Sequence, residues 1–156
     1  MLDNSSQYFF NADALLFGGV MLFLILILHA IYMFLVARRY EAITDALIAA
    51  KRYGWIESVF FVMAFILALS HLLEIYIWGL ALSLSGLIPN PHQAVLFAGS
   101  VYTTLGVNTN PLPISWDLVM VTIALSGVIS FGWSISVLFN MTQIIHTARM
   151  QLKRMT

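Results

Sequence analysis

The chain has 156 residues, 61% of them hydrophobic and only 9% charged, with a mean hydropathy of +0.92. Soluble domains run nearer half apolar and a quarter charged, so this composition belongs to the membrane class. Seven basic residues balance seven acidic ones, leaving no basic surplus for nucleic acid, and the lack of cysteine excludes disulfide frameworks and thiolate metal centres.

The amino-terminal stretch MLDNSSQYFFNADALL is acidic, and the apolar run after it is long. Charge and length are both wrong for a cleavable signal peptide, so a retained helix is expected. Three segments exceed the roughly 20 apolar residues that a spanning helix needs. They run from about Ala14 to Ala37, from Trp55 to Leu84 and from Ser115 to Ile145. Residues 38–54 separate the first two. There Ile43, Leu47 and Ala50 recur at helical spacing between Arg38–Arg39 and Lys51–Arg52, which reads as a short amphipathic helix on the membrane surface, ended by Gly54. A plain solvated connector is the alternative.

Four of the seven basic residues lie in that connector. The other three, Arg149, Lys153 and Arg154, lie in the carboxy-terminal segment 146–156. The positive-inside rule then expects both basic segments in the cytoplasm and the amino terminus outside, so that residues 1–37 comprise an extracellular amino terminus and the first transmembrane span. Trp55 falls at the expected inner end of its span. Tyr76, Trp78 and Trp116 lie toward outer ends, where interfacial aromatics are expected.

Residues 85–114 remain on the outer side. Asn90–Pro91 reads as a helix cap followed by proline at the first helical position. HQAVLFAGSVYT, residues 92–103, then supplies about three turns of apolar helix. That is too short to span and too apolar for an exposed loop, which suits a re-entrant segment. Irregular backbone at membrane depth survives only inside protein or along a water-filled path, so the following TTLGVN is expected to line one.

A short helix, Thr103-Thr104-Leu105-Gly106 and a long helix after it together resemble the pore module of potassium channels. LSGVISFG, residues 125–132, looks like that family's glycine-hinge region, with Gly127 as the hinge. His71-Leu-Leu-Glu-Ile-Tyr-Ile-Trp78 looks like the outer helix of bacterial channels of this type. The resemblance covers residues 55–145 and implies an all-α integral membrane fold with three transmembrane helices, a re-entrant pore helix and a filter loop. Its parts would be an outer helix (55–84), a pore helix (91–103), a filter (104–108) and an inner helix (115–145), with the first span at the periphery.

The resemblance also implies a homotetramer, three further identical subunits closing a ring of carbonyls, in a bacterial plasma membrane. Potassium or sodium would be bound in passage by Thr104, Leu105, Gly106, Val107 and Asn108, with no resident cofactor or transition metal and no enzymatic activity. Thr103, Ser100, His71 and Glu74 would support the filter. The sequence departs from the family at Val107, where a tyrosine is usual, and at Asn108, where a second glycine is usual.

His71 and Glu74 stand three apart, on one helical face. A bare carboxylate there is costly, so Glu74 is expected to be protonated or paired, positioned by His71 and bracing the pore helix or filter from behind. A hydrogen bond between helices without bearing on conduction is the alternative. His29 is expected to hydrogen bond a neighbouring helix, and His92 and His146 to be solvated. Asp117 would complement the dipole of the helix it opens, or form an acidic ring at the outer mouth. Two rival classes stay open: a nonconducting structural subunit, and a membrane metal or haem protein built on the histidines.

Overall fold

The computed structural model describes residues 11–106 and 109–155, with side chains through residue 150. The described residues form four α-helices and no strand: α1 (Ala12–Ala49), α2 (Ile56–Leu84), α3 (Pro91–Tyr102) and α4 (Leu118–Met155), with single 3₁₀ turns at Tyr53–Trp55 and Ile114–Trp116. Three of them, α1, α2 and α4, are long and apolar enough to cross a membrane. Large apolar side chains face outward along them. Phe23, Phe61 and Phe65 are each about two-thirds exposed, a surface suited to lipid rather than water.

Each start and stop has a local cause. Asn11 caps α1, its side-chain oxygen accepting from the Asp13 and Ala14 amides at 3.0 and 3.4 Å. At the other end Lys51 takes a left-handed φ of 57°. The Arg52 amide returns to the Leu47 carbonyl (2.8 Å) and the Lys51 amide to Ile48 (2.9 Å), a Schellman closure. Helix α3 begins as Asn90–Pro91 implies, with Pro91 in the first turn and the Asn90 side chain accepting from the Gln93 amide. Asn90→Ala should therefore cost about 1 kcal/mol of stability, read by thermal unfolding in detergent.

Two expectations need correction. Residues 38–54 are not a separate surface helix: α1 runs unbroken through Ala37 and Arg38 to Ala49, and the stop falls at Lys51, not Gly54. Nothing between Ala37 and Ala50 is glycine or proline, and Ala, Leu, Arg and Glu are strong helix formers, so the change from apolar to charged gives the backbone no reason to break. For the same reason α4 continues past Ile145 to Met155.

The chain forms two compact units, residues 1–28 with 71–130, and residues 29–70 with 131–156. In the first, Trp78, Leu82, Ile88, Phe97, Tyr102 and Ile123 are among the buried core residues. Trp78, expected at the interface, is instead fully buried, and its indole N–H donates to the Ser126 hydroxyl at 2.9 Å. Helix α3 lies close on α2, where a Cβ at Gly79 would come within 2.6 Å of the Val95 Cα. Phe17 of α1 meets Trp116 edge to face at 6.0 Å.

The second unit is built on Met33, Val36, Tyr40, Ile56, Leu67 and Met141. Tyr40 donates to the Met141 carbonyl at 3.4 Å, and His29 is 3.4 Å from the Ser134 hydroxyl, the interhelical hydrogen bond expected of it. Arg149 and Glu57 form an exposed ion pair, with the Arg149 Nε at 3.0 Å from the carboxylate. Every Lys and Arg of the sequence belongs to this unit, and the first unit's residues include none.

Candidate functional site

The site is built where α3 ends. Its last residue, Tyr102, is fully buried, and the chain then emerges so that Thr103, Thr104, Leu105 and Gly106 are all exposed. The turn is held by its own amides: Thr103 N–H donates to Gly99 O, Thr104 to Val101 O (both 3.0 Å), and Gly106 to Ser100 O at 3.2 Å. The Thr103 hydroxyl also donates back to Gly99 O, at 2.7 Å. Ser100, half-buried, thus takes part through its carbonyl. Val107 and Asn108, the two expected filter residues that depart from the family pattern, lie outside the described residues.

The backbone of this turn is unusual. Thr104 has φ 58° and Gly106 φ 87°, while Leu105 between them stays out of the left-handed region. Glycine takes such a φ freely, but a β-branched residue does so only under strain of about 1–3 kcal/mol. Alternation of hand along a chain turns successive amide N–H groups toward one side, and here the Thr104 and Gly106 amides are both turned back to carbonyls of α3. Beside the turn is a cleft of about 670 Å³, lined by residues that include Gln93, Phe97, Ser100, Leu105, Gly106 and Pro111.

Behind the turn lies a buried polar chain. His71 and Glu74 do share a face of α2, and both are buried. They converge on one atom, the Tyr102 hydroxyl, which donates to Glu74 Oε2 at 2.7 Å and lies 2.9 Å from His71 Nδ1. A phenol has one proton; with that given to Glu74, the bond from His71 requires the histidine to carry its proton on Nδ1. The hydrogen bond offsets part of the cost of removing a carboxyl group from water. Pairing was expected for Glu74, and pairing with α3 is what occurs.

Gly127, expected as a hinge, has a packing reason to be glycine. A Cβ there would lie 2.0 Å from the Tyr102 carbonyl oxygen and 3.1 Å from its ring. Thus α2 and α4 both close on the last residue of α3. Further out, the Asn110 side-chain amide donates to Asp117 Oδ1 at 2.7 Å and its oxygen accepts from the Leu112 amide, tying the returning loop to the start of α4. His92 and His146 are exposed, as expected.

Sequence reasoning missed Tyr102, although the signal was present. A buried Glu and His on one face of α2 need a hydroxyl opposite, and Tyr102 sits immediately before the Thr-Thr-Leu-Gly loop. Electrostatically the unit carries no Lys or Arg, and among its described residues Asp13, Glu74 and Asp117 are acidic. The carbonyl end of α3 lies at the turn, and a helix C-terminus carries partial negative charge. No family model matches the chain, and comparison with curated proteins and with solved structures found no match.

Proposed function

We propose that the chain is one subunit of a homotetrameric channel that passively conducts potassium or other monovalent cations. The observation that carries this reading is the segment after α3. A twelve-residue apolar helix, too short to span, ends in an exposed Thr-Thr-Leu-Gly turn whose φ alternates in sign, in a unit without positive side chains. Such a turn offers carbonyls from Thr104, Leu105 and Gly106, and a selectivity filter replaces an ion's hydration shell with rings of carbonyls. One chain supplies a quarter of each ring, so four copies around an axis are needed. Leu105, 82% exposed beside the cleft, would be covered by the next copy.

In this reading α2 is the outer helix, α3 the pore helix and α4 the inner helix, with the amino terminus outside and the basic carboxy-terminal segment in the cytoplasm. Conduction involves no covalent chemistry. Thr104, Leu105 and Gly106 exchange ligation for hydration, and passage stays rapid when several weak sites act in series.

Planar-bilayer recording under potassium, sodium and calcium bi-ionic gradients tests the proposal. Cation current is expected, and its absence in every open-favouring condition would overturn it. The double variant Val107→Tyr, Asn108→Gly restores the residues usual in the resembling family and should raise the potassium-to-sodium permeability ratio. An unchanged ratio would show that Thr104–Asn108 is not the filter.

A further inference from the structure

We infer that Tyr102 is the positioning residue of the Thr103–Gly106 turn, holding it through a hydroxyl fixed to α2 and a carbonyl seated on α4. The bearing of this on conduction rests on the channel reading; the structural part stands without it.

Thr104 is the starting point. A threonine at φ 58° is strained, and strain of that kind persists only where the surroundings over-determine the backbone. The turn's own side chains supply little of the restraint: Thr103, Thr104, Leu105 and Gly106 are all exposed, and the one side-chain bond given for them runs from the Thr103 hydroxyl to Gly99 O. The nearest buried residue is Tyr102, one peptide away from Thr103. Its hydroxyl reaches Glu74 (2.7 Å) and His71 (2.9 Å), which fixes the ring against α2. Its carbonyl occupies the space that a side chain at residue 127 would fill, which fixes the peptide plane leading into Thr103 against α4. The amides that hold the turn answer to Gly99, Ser100 and Val101, the three residues just before Tyr102. Loosening Tyr102 therefore loosens every acceptor of the turn at once.

This role goes beyond ordinary core packing, because the ring and the hydroxyl can be separated. Tyr102→Phe keeps the buried ring and removes the hydroxyl with its bonds, those to Glu74 and His71 among them. Glu74→Gln keeps an acceptor oxygen for the phenol, whereas Glu74→Leu removes it.

The test is hydrogen exchange by mass spectrometry on the full chain in detergent micelles, with fragments resolving residues 103–106 from the body of α3. In Tyr102→Phe the amides of Thr103, Thr104 and Gly106 should exchange about tenfold faster, the loss expected when a buried hydrogen bond to a carboxylate no longer restrains them. Amides within residues 94–99 should keep the wild-type rate. Glu74→Leu should reproduce the effect and Glu74→Gln should not. Wild-type exchange at residues 103–106 in Tyr102→Phe would overturn the inference, as would equal acceleration along all of α3, which marks general loosening.

Bilayer recording separates this inference from the channel reading. A conducting wild type with a several-fold change in potassium-to-sodium permeability ratio in Tyr102→Phe supports both. A conducting wild type with unchanged ratio and unchanged exchange overturns the inference alone. A wild type without current overturns the channel reading and leaves the exchange result to decide the role of Tyr102.

Discussion

Replacing Gly127 with alanine should destabilise the protein by about 2 kcal/mol, a large effect for one methyl group. Two terms oppose each other. Alanine is the better helix former by about 1 kcal/mol in the interior of α4. Against that, its Cβ would lie 2.0 Å from the Tyr102 carbonyl oxygen, a backbone atom that cannot rotate away. Overpacking costs typically about 1–3 kcal/mol, and a clash with backbone belongs at the upper end. The steric term wins. Gly132→Ala in the same helix is the control: a Cβ there meets nothing within 4 Å, so only the propensity gain remains. Circular-dichroism melts in detergent should move the two variants in opposite directions. A Gly127→Ala protein as stable as wild type would mean that α4 does not approach α3 this closely.

Trp78→Ala should cost about 3 kcal/mol. In water, large-to-small changes of buried aromatics cost about 3–5 kcal/mol, part of it transfer free energy and part the cavity left behind. Where helices associate in lipid, the transfer part fades because the alternative environment is also apolar, and packing carries the interaction. The lower end of the range is therefore expected. Trp78→Phe separates shape from polarity. It keeps most of the volume but loses the donor to Ser126, whose own hydroxyl still donates to the Ile123 carbonyl at 2.7 Å. About 1 kcal/mol is expected for that change. If the alanine variant lost no more than the phenylalanine variant, Trp78 would not be filling the core as described.

Gly127 and Trp78 also separate features set by local sequence from those set by tertiary approach. Spans over residues 55–84 and 115–145, and the short helix opened by Asn90–Pro91, were legible because apolar length, a cap residue and a proline are local signals. The run of α1 through Arg38 was not. A membrane-to-water transition looks like a boundary in hydropathy, yet the backbone responds only to breakers and caps, and none occurs before Lys51. Trp78 was misplaced for a different reason. An aromatic near the end of a span suits either the interface or the core, and the choice depends on which face meets α4, information held by Ser126 and not by Trp78.

The site was legible in the same uneven way. The shared face of His71 and Glu74 followed from a spacing of three, but their common partner lay 28 residues beyond Glu74, and no local pattern connects them. Gly127 was singled out as a hinge, on resemblance alone. Its demonstrated reason to lack a side chain is the Tyr102 carbonyl, a constraint of tertiary approach invisible in LSGVISFG. Thr104 gave no warning of its left-handed backbone, because threonine is among the residues least suited to it.

The confinement of all Lys and Arg to one unit has a consequence for biogenesis. In the proposed topology, the segment carried across the bilayer during synthesis is the one joining α2 to α4, and it contains α3 and the Thr-Thr-Leu-Gly turn. Asp117 is the one formally charged side chain between Ser85 and Asp117, and no positive charge has to be translocated with it. Positive charge near the ends of spanning helices resists transfer far more than acidic charge does. In the proposed topology, the feature that would draw a cation to the turn is thus also what would let the turn be delivered to the far side of the membrane in the first place.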